Sequence, residues 1–390
     1  MSKDEMNISV TRGVVQSIKK NIRSYTMIIA LLVIWGILGI MTQGTFFMPR
    51  NMSMLVRQTS VTGILSLGML LVIVTGNIDL SAGSTMGLLG GIAAVCQVWY
   101  NMSVATTILV VVLAGIVLGI WQGIWIAYLR VPAFIVTLGG YLAFRGILLG
   151  IGKSVTIAPM SNAFKNIGQG YLPLSIGWIL VAATCLFTIF AIFRDRSAKR
   201  RYGFTVPHIG ISILKCLGII AVIVTFVAVL SDYQGIPIPV VILLCLGAIV
   251  AFVTTKTRFG RSIYAIGCNQ EAADLAGINT KRIVFIVYIL EGIFCGLAGI
   301  ILTARLNAGA AGAGNMAEMD AIAACVIGGA SLSGGLGTIP GAIIGALVMC
   351  SLDNGMSLMN TENFWQYIVK GLILIIAVFV DIVTKKKAGK

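Results

Sequence analysis

Charge is scarce in this sequence, and acidic charge is the scarcer kind. Only 11% of the 390 residues are charged, and only 13 residues are Asp or Glu. The one histidine, His208, lies beside Pro207 in a polar stretch. A single histidine leaves no cluster of His and Cys ligands for a metal and no basis for a Ser/His/Asp triad. Zinc enzymes and serine hydrolases are therefore excluded as function classes.

Paired cysteines and a phosphate-binding loop are also missing. The eight cysteines stand singly, nearly all within apolar runs, without the spacing of metal or redox sites. The glycine-rich stretch GGASLSGG (328–335) lacks the Lys and hydroxyl that a G-x-x-x-x-G-K-[ST] nucleotide loop requires. Glu318 and Asp320 are close in sequence, but nothing nearby supplies a nucleophile or a leaving-group site. We therefore expect no enzymatic activity, no cofactor and no metal in this chain.

Apolar residues are what the sequence has in excess. They make up 58% of the chain and give a mean hydropathy of +1.00, too high for a soluble domain. Since about 20 apolar residues span the hydrocarbon of a bilayer, the pattern predicts an all-α, polytopic membrane protein with about 10 to 12 transmembrane helices. Twelve segments are candidates: 26–47, 58–76, 80–98, 104–129, 132–151, 173–193, 212–231, 239–255, 283–304, 320–336, 338–353 and 363–381.

The basic residues follow the topology of these segments. The net charge is +15, and 21 of the 28 Lys and Arg residues fall in stretches that an even number of spans places on one side. Basic loops favour the cytoplasm, so the excess predicts cytoplasmic termini and contact with anionic lipid and no binding of nucleic acid. The predicted parts are a cytoplasmic segment, 1–25, a single transmembrane domain, 26–384, and a basic tail, 385–390.

Two pairs of segments are joined by unusually short connectors. The pairs are 58–76 with 80–98 and 320–336 with 338–353, and both connectors are rich in small or polar residues. Non-helical backbone at membrane depth is tolerated where it is buried in protein or lines a cavity. These pairs are therefore predicted to be broken or re-entrant helices beside a transport path.

One long polar stretch, 256–282, separates two late segments and is predicted to be cytoplasmic. Its centre, NQEAADLAGI, predicts a short amphipathic helix with Asn269 as N-cap, Glu271 in the first turn and Gly277 as terminator. Its small apolar side chains favour docking on another surface, and a solvated loop is the alternative.

Five stretches of the sequence carry a family resemblance: GNIDLSAGS (76–84), VPAFIVTLGGYLAFRGI (131–147), TRFGRSIYAIGCNQEAADLAGI (257–278), DAIAACVIGGASLSGGLGTIPGAIIGA (320–346) and FWQYIVKGLILIIAV (364–378). These stretches resemble the ribose/xylose-type permeases, the membrane subunits of bacterial ABC sugar importers. The resemblance spans nearly the whole chain and is greatest to the xylose and multiple-sugar subgroup.

Two features of the chain bear on the subgroup and on the local fit. Compared with ribose-type members, 173–231 carries two additional spans and a basic cytoplasmic loop, 194–201, as the xylose-like branch does. Cys268 stands where the family usually has glycine, and Asn77 stands where many members have glycine or another residue. These departures leave the backbone plan intact and alter only local surroundings.

The resemblance implies a permease in a bacterial inner membrane that moves xylose or a related aldose inward. It implies a second copy of the chain, a cytoplasmic ABC ATPase that holds ATP and magnesium, and an extracytoplasmic sugar-binding protein as partners. It also implies that the helix in 256–282 contacts the ATPase. The coupling residues expected there are Gly267, Asn269, Glu271, Ala272, Ala273, Leu275, Ala276 and Gly277.

Asp79 lies between two apolar segments, where a charge is expensive and faces protein or water. The favoured interpretation is a helix cap with Ser81, Ser84 and free backbone amides as its partners. A gate or an acceptor for sugar hydroxyls is the alternative role. Polar candidates for the path or gate are Asn77, Asp79, Ser81, Arg145, Glu291, Arg305, Asn307, Asp353, Asn354, Trp365 and Gln366; for Arg145 and Glu291 an interhelical pair is the alternative.

Two other function classes compete with the importer subunit. A stand-alone proton- or sodium-coupled sugar carrier is disfavoured by the scarcity of acidic residues and the absence of histidine within the spans. An intramembrane enzyme lacks a recognisable catalytic set.

Overall fold

The computed structural model describes residues 22–203, 206 and 209–388. Within these residues the chain is helical and forms no β-strand, which confirms the predicted all-α class. His208, most of the N-terminal segment 1–25 and the end of the tail 385–390 lie outside the described residues.

Fifteen α-helices occupy the described part of the chain. In chain order, α1 to α15 are Ile22–Met41, Pro49–Val74, Ala82–Val98, Val104–Gly123, Ala133–Gly152, Asn162–Gln169, Leu174–Arg201, Ile209–Ser231, Ile238–Lys256, Arg258–Cys268, Gln270–Leu275, Thr280–Leu306, Ala317–Ile327, Ile339–Leu358 and Asn363–Ala388. A 3-10 turn, Thr45–Phe47, precedes α2, and a π-helical turn, Ile124–Tyr128, extends α4.

Eight of these helices are long and apolar enough to cross a membrane: α2, α4, α5, α7, α8, α9, α12 and α14. Parts of α1, α3 and α15 are shorter apolar helices. Each of the twelve predicted segments contains a helix, and the polytopic fold is confirmed. Segment 320–336 is helical only as far as Ile327, and the 11 residues of α13 extend about 17 Å, half of a bilayer's hydrocarbon.

The core of the bundle is built on α2 and α12. Of their most apolar stretches, 83% and 61% of residues are buried, whereas the figures for α7 and α8 are 11% and 17%. Helix α12 packs against α2, α3 and α4, and α7 packs mainly against α8. The two additional spans therefore form a peripheral pair whose apolar side chains face outward, as they would towards lipid.

The stretch 194–201 is not a loop, as the sequence suggested, because α7 continues unbroken to Arg201. The 28 residues of α7 extend about 42 Å, which exceeds the thickness of a bilayer's hydrocarbon. The last turns of α7 therefore project beyond the hydrocarbon. Basic side chains at the C-terminal end of α7 interact favourably with the helix dipole. Asp195 also forms an ion pair with Lys199, one turn later, at 2.5 Å.

The bundle has two ends, which we name by their contents. The α11 end carries α10 and α11, the last turns of α2, α4, α7 and α9, and the first turns of α5, α8 and α12. The opposite end carries α6, the last turn of α12 and the start of the loop that follows α12. Both short connectors predicted to be breaks, 75–81 and 328–338, lie towards the α11 end.

Residues 307–316 form a non-helical segment that the sequence did not predict to be inside the bundle. This segment runs along α3, with Gly309 against Ala94 and Gly314 against Gly83. Arg145 of α5 donates from Nη1 to the carbonyl oxygens of Ala311 and Ala313, at 3.2 and 2.9 Å. Backbone carbonyls among apolar helices need such donors, because no bulk water reaches them.

Candidate coupling and translocation sites

The short helix α11 forms where the sequence predicted it. The side chain of its N-cap, Asn269, accepts a hydrogen bond from Ala272 N at 2.9 Å, and Glu271 lies in the first turn. Gly277 ends the helix with φ +80°, a left-handed conformation that glycine adopts without strain. Ile278 N then donates to Ala273 O at 3.1 Å and returns the chain to α12.

One residue predicted for the docking face of α11 faces the other way. Ala273 was expected on the docking face, but it is only 4% exposed and packs inward, because α11 rests on α10 and α12. Leu275 is 91% exposed, and Ala272 and Ala276 are exposed as well. A partner that covers Leu275 would remove more apolar surface from water than one that covers either alanine, and this burial would stabilise the contact.

A cleft of about 680 Å³ opens beside α11. Its lining combines apolar residues with side chains of both charges, from Arg130, Glu271, Asp274 and Lys281. Thr280 Oγ1 donates to Asp274 Oδ1 at 2.7 Å and closes the turn between α11 and α12. Asn77 also lines the cleft, so the cleft extends from α11 to the first connector.

Helix α10 precedes α11 and was missed by the sequence analysis. Thr257 caps it by accepting from Gly260 N at 3.1 Å, and Ile263 and Ile266 are buried. This apolar spacing is a helical signal within 256–282 that could have found it. Tyr264 of α10 donates from its hydroxyl to Gly337 O at 2.8 Å. Burial raises the pKa of the Tyr264 phenol, so this donor keeps its proton at neutral pH.

Asp79 is 1% exposed and lies between α2 and α3. Its Oδ1 accepts from Ser81 N at 2.7 Å and from Ser81 Oγ at 2.6 Å, at the start of α3. The expected contribution of Ser84 is wrong, because its Oγ is buried and has no hydrogen-bond partner in the described part of the chain. The two hydrogen bonds from Ser81 to Asp79 are typical of a carboxylate that caps the first turn of a helix.

Neighbouring helices hold the same connector in place. Gln122 of α4 donates from Nε2 to Ser81 Oγ, and Thr137 Oγ1 of α5 lies 3.4 Å from Ile78 O. Asn77 is half-buried and donates to Thr75 Oγ1 at 3.1 Å. The connector is thus fixed by α4 and α5, with Asn77 facing the cleft and Asp79 facing the protein.

Arg145 and Glu291 do not form the interhelical pair that was one of the alternatives. Arg145 is held by 307–316, whereas Glu291, 1% exposed on α12, lies against Gly68 of α2. Glu291 Oε1 accepts from Cys295 Sγ at 3.7 Å, and Oε2 has no partner among the described residues. The two side chains face different helices and are therefore kept apart.

At the opposite end, Arg305 meets polar residues that the sequence analysis missed. Arg57 lies with its guanidinium 4.7 Å from the ring centre of Tyr171 and donates to the Tyr171 hydroxyl, which is 3.1 Å from Ser53 Oγ. The Nε atoms of Arg57 and Arg305 are buried without hydrogen-bond partners among the described residues. Only the tertiary fold brings these residues together, so no local signal in the sequence could have found them.

Two candidate asparagines at the opposite end have structural partners. Asn354 exchanges amide hydrogen bonds with Asn51 at 2.8 and 3.0 Å and joins α14 to α2. Asn307 ends α12 in a left-handed conformation, φ 55°, and accepts from Met160 N at 3.1 Å.

Asp353 belongs to a cluster that the sequence did not predict. Lys370 Nζ lies 2.9 Å from Asp353 Oδ2 and 2.9 Å from Asp320 Oδ1, so one lysine of α15 joins α13 and α14. Trp365 is 51% exposed on α15, and Gln366 Nε2 donates to Thr361 O at 3.3 Å. Among the described residues, neither Trp365 nor Gln366 forms a side-chain hydrogen bond with another path candidate.

The sequence is similar to those of known membrane proteins along most of its length. Residues 51–378 match the family described as branched-chain amino acid transport system / permease component. The xylose transport system permease protein of Escherichia coli K12 is 47% identical over 371 residues, 94% of each chain. Its counterpart in Haemophilus influenzae is 46% identical over 368 residues, 94% of this chain and 98% of the relative.

The ribose import permease protein of Escherichia coli K12 is 34% identical over 354 residues, 91% of this chain and 92% of the relative. No solved structure matches the chain. The family match covers most of the sequence, and the relatives align along nearly their whole lengths. The chain therefore belongs to the branched-chain amino acid transport system / permease component family.

Proposed function

We propose that this chain is the membrane-spanning permease of an ATP-binding-cassette importer that carries xylose, or a closely related aldose, into a bacterial cell. Its similarity along nearly the full length to xylose permeases supports the substrate class. A stand-alone ion-coupled carrier is not favoured, because the relatives are named as permeases of transport systems.

The observation that carries the proposal is the exposed leucine of α11. A chain without a phosphate loop needs a contact through which a separate ATPase acts, and α11 offers a rigid, capped helix with Leu275 91% exposed. Exposed apolar side chains of this kind anchor protein interfaces when they fill a pocket on the partner. On this proposal the α11 end faces the cytoplasm, both termini are cytoplasmic, and a sugar-binding protein delivers its cargo to the opposite end.

The docking contact is tested by replacing its exposed residues. We expect the double variant Leu275→Ser with Glu271→Lys to insert normally, yet to lose co-purification with the cognate ATPase and sugar uptake. Tyr202→Ser is the matched control, because Tyr202 is 76% exposed at the same end, as the C-cap of α7 and away from α11. A double variant that still binds the ATPase and transports at the wild-type rate would contradict the proposal.

The substrate is tested by uptake of labelled sugars in cells that lack other pentose transporters. Cells expressing the chain with its ATPase and sugar-binding protein should accumulate xylose in preference to ribose. Equal or greater accumulation of ribose would overturn the choice of sugar while leaving the transport function intact.

A further inference from the structure

Three separate stretches of backbone meet at Gly267, at the C-terminal end of α10 and just before α11. They are the end of α2 at Val74, the loop 328–338, and the last turn of α10. We propose that Gly267 is a positioning residue through which movement of α11 reaches both helix connectors at once. The inference rests on the proposed function and adds the route by which the ATPase contact acts on the bundle.

The contacts at this junction are between backbone atoms. Gly335 N donates to Val74 O at 2.9 Å and ties the loop to α2. A Cβ at Gly267 would overlap both Val74 O and Gly335 N. From the other side, a Cβ at Gly334 would lie 2.8 Å from Gly267 O and 3.0 Å from Gly76 Cα. The space therefore admits no side chain, and the three stretches cannot slide past one another independently.

Tyr264 strengthens the same junction with a side chain. Its hydroxyl donates to Gly337 O at 2.8 Å, one helical turn before Gly267 on α10. The loop is closed by Ser331 N, which donates to Leu336 O at 3.0 Å. Helix α10 is thus attached to the loop at two points, so the loop must follow when α10 moves.

Each connector leads from the junction to residues deeper in the bundle. Residues 75–81 continue to Asp79 and the first turn of α3, and 328–338 separates the half-length α13 from α14. Close-packed contacts transmit a displacement because they compress little. Coupling between distant sites requires such contiguous contacts and an element with two arrangements. The broken pairs α2–α3 and α13–α14 supply that element.

Gly267 differs from the residues of the docking face. The sequence placed Gly267 among the coupling residues, but Gly267 is half-buried against protein, whereas Leu275 projects outward. Gly267 is therefore expected to act without touching the ATPase. A substitution at Gly267 should therefore leave binding of the ATPase intact while reducing transport, whereas a substitution at Leu275 should remove both binding and transport.

The test is Gly267→Ala in the complete complex of permease, ATPase and sugar-binding protein. Gly267 lies within the helix α10, so alanine suits the backbone and only the missing space opposes it. Gly146→Ala on α5 is the control, because a Cβ there meets no atom within 4 Å. We expect assembly and basal ATP hydrolysis to be retained, and hydrolysis stimulated by loaded binding protein and sugar uptake to fall about tenfold, as coupling residues between sites allow.

If the Gly267→Ala complex assembles and shows wild-type levels of stimulated ATP hydrolysis and sugar uptake, the inference is overturned. If Gly267→Ala does not assemble, Tyr264→Phe decides, because it removes only the hydroxyl that donates to Gly337 O. Fewer sugars transported per ATP hydrolysed in Tyr264→Phe support the junction, and an unchanged ratio overturns it. Failure of the wild-type complex to take up sugar with ATP would instead contradict the proposed function.

Discussion

At the scale of single residues, Asp79 shows how a carboxylate is accommodated between apolar helices. It is buried, and Ser81 satisfies it with a backbone amide and a hydroxyl. Gln122 donates to that same hydroxyl, so the charge belongs to a network that fixes the entry of α3. Buried polar groups are tolerated when every partner is present and are costly when one is removed.

Two substitutions at Asp79 distinguish the cap from a role for the charge. Asp79→Asn keeps the Oδ1 acceptor and should leave folding nearly unchanged. Asp79→Leu strands Ser81 N in the interior and should destabilise the protein by about 1 to 3 kcal/mol. Denaturant unfolding in detergent measures both effects. Equal stability of the two variants would contradict the cap, and a stable Asp79→Asn that fails to transport would assign the charge to the gate.

At the scale of helices, local sequence signals predicted some elements and missed others. Helix α11 was predictable because its cap, Asn269, and its terminator, Gly277, act through the backbone next to them. The inward position of Ala273 was not, because it depends on which neighbours α11 rests on. Likewise, the sequence of 307–316 is that of an ordinary loop. Its packing inside the bundle depends on Arg145, far away in sequence, which donates hydrogen bonds to its carbonyl oxygens.

The predicted path residues show the same limit. The sequence identified Asp79 and Asp353 as polar groups between apolar runs, because rarity alone marks them. It did not identify Lys370 as the partner of Asp353, or Arg57 as a neighbour of Tyr171, because these pairs join distant helices. Local patterns therefore predicted individual polar residues, and the tertiary fold determined their partners.

The lysine cluster predicts how α15 is held. Lys370→Met leaves Asp320 and Asp353 facing each other without their cation, and removing one partner of a largely buried ion pair costs about 3 to 5 kcal/mol. We expect a clear loss of unfolding stability in detergent. Lys199→Met is the control, because the exposed Lys199–Asp195 pair contributes about 0 to 1 kcal/mol. Similar losses for the two variants would refute a special role for the cluster.

The orientation of α7 is a second prediction at this scale. The basic residues at its end should lie in the cytoplasm, so a cysteine introduced at Tyr202, 76% exposed, should react with membrane-impermeant reagents only in opened cells. The same substitution in a protein without other exposed cysteines is the sample to label. Labelling in intact cells would contradict the cytoplasmic position predicted for the end of α7.

At the scale of the whole molecule, one end of the bundle combines three features. The short helix α11, the cleft beside it and both helix connectors lie at the α11 end. The core helices α2 and α12 begin or end there as well. A force applied to α11 therefore reaches the breaks in the bundle over a short distance, which suits a permease that is driven from outside its own chain.

Energy coupling is the central claim, and uptake into proteoliposomes tests it most directly. The vesicles contain the permease with its ATPase and enclosed ATP, and labelled xylose is supplied outside on the sugar-binding protein. The account predicts uptake that requires ATP hydrolysis, persists when ionophores collapse proton and sodium gradients, and is lost in the Leu275→Ser, Glu271→Lys variant. Uptake by the permease alone, driven by an ion gradient and abolished by the ionophores, would contradict it.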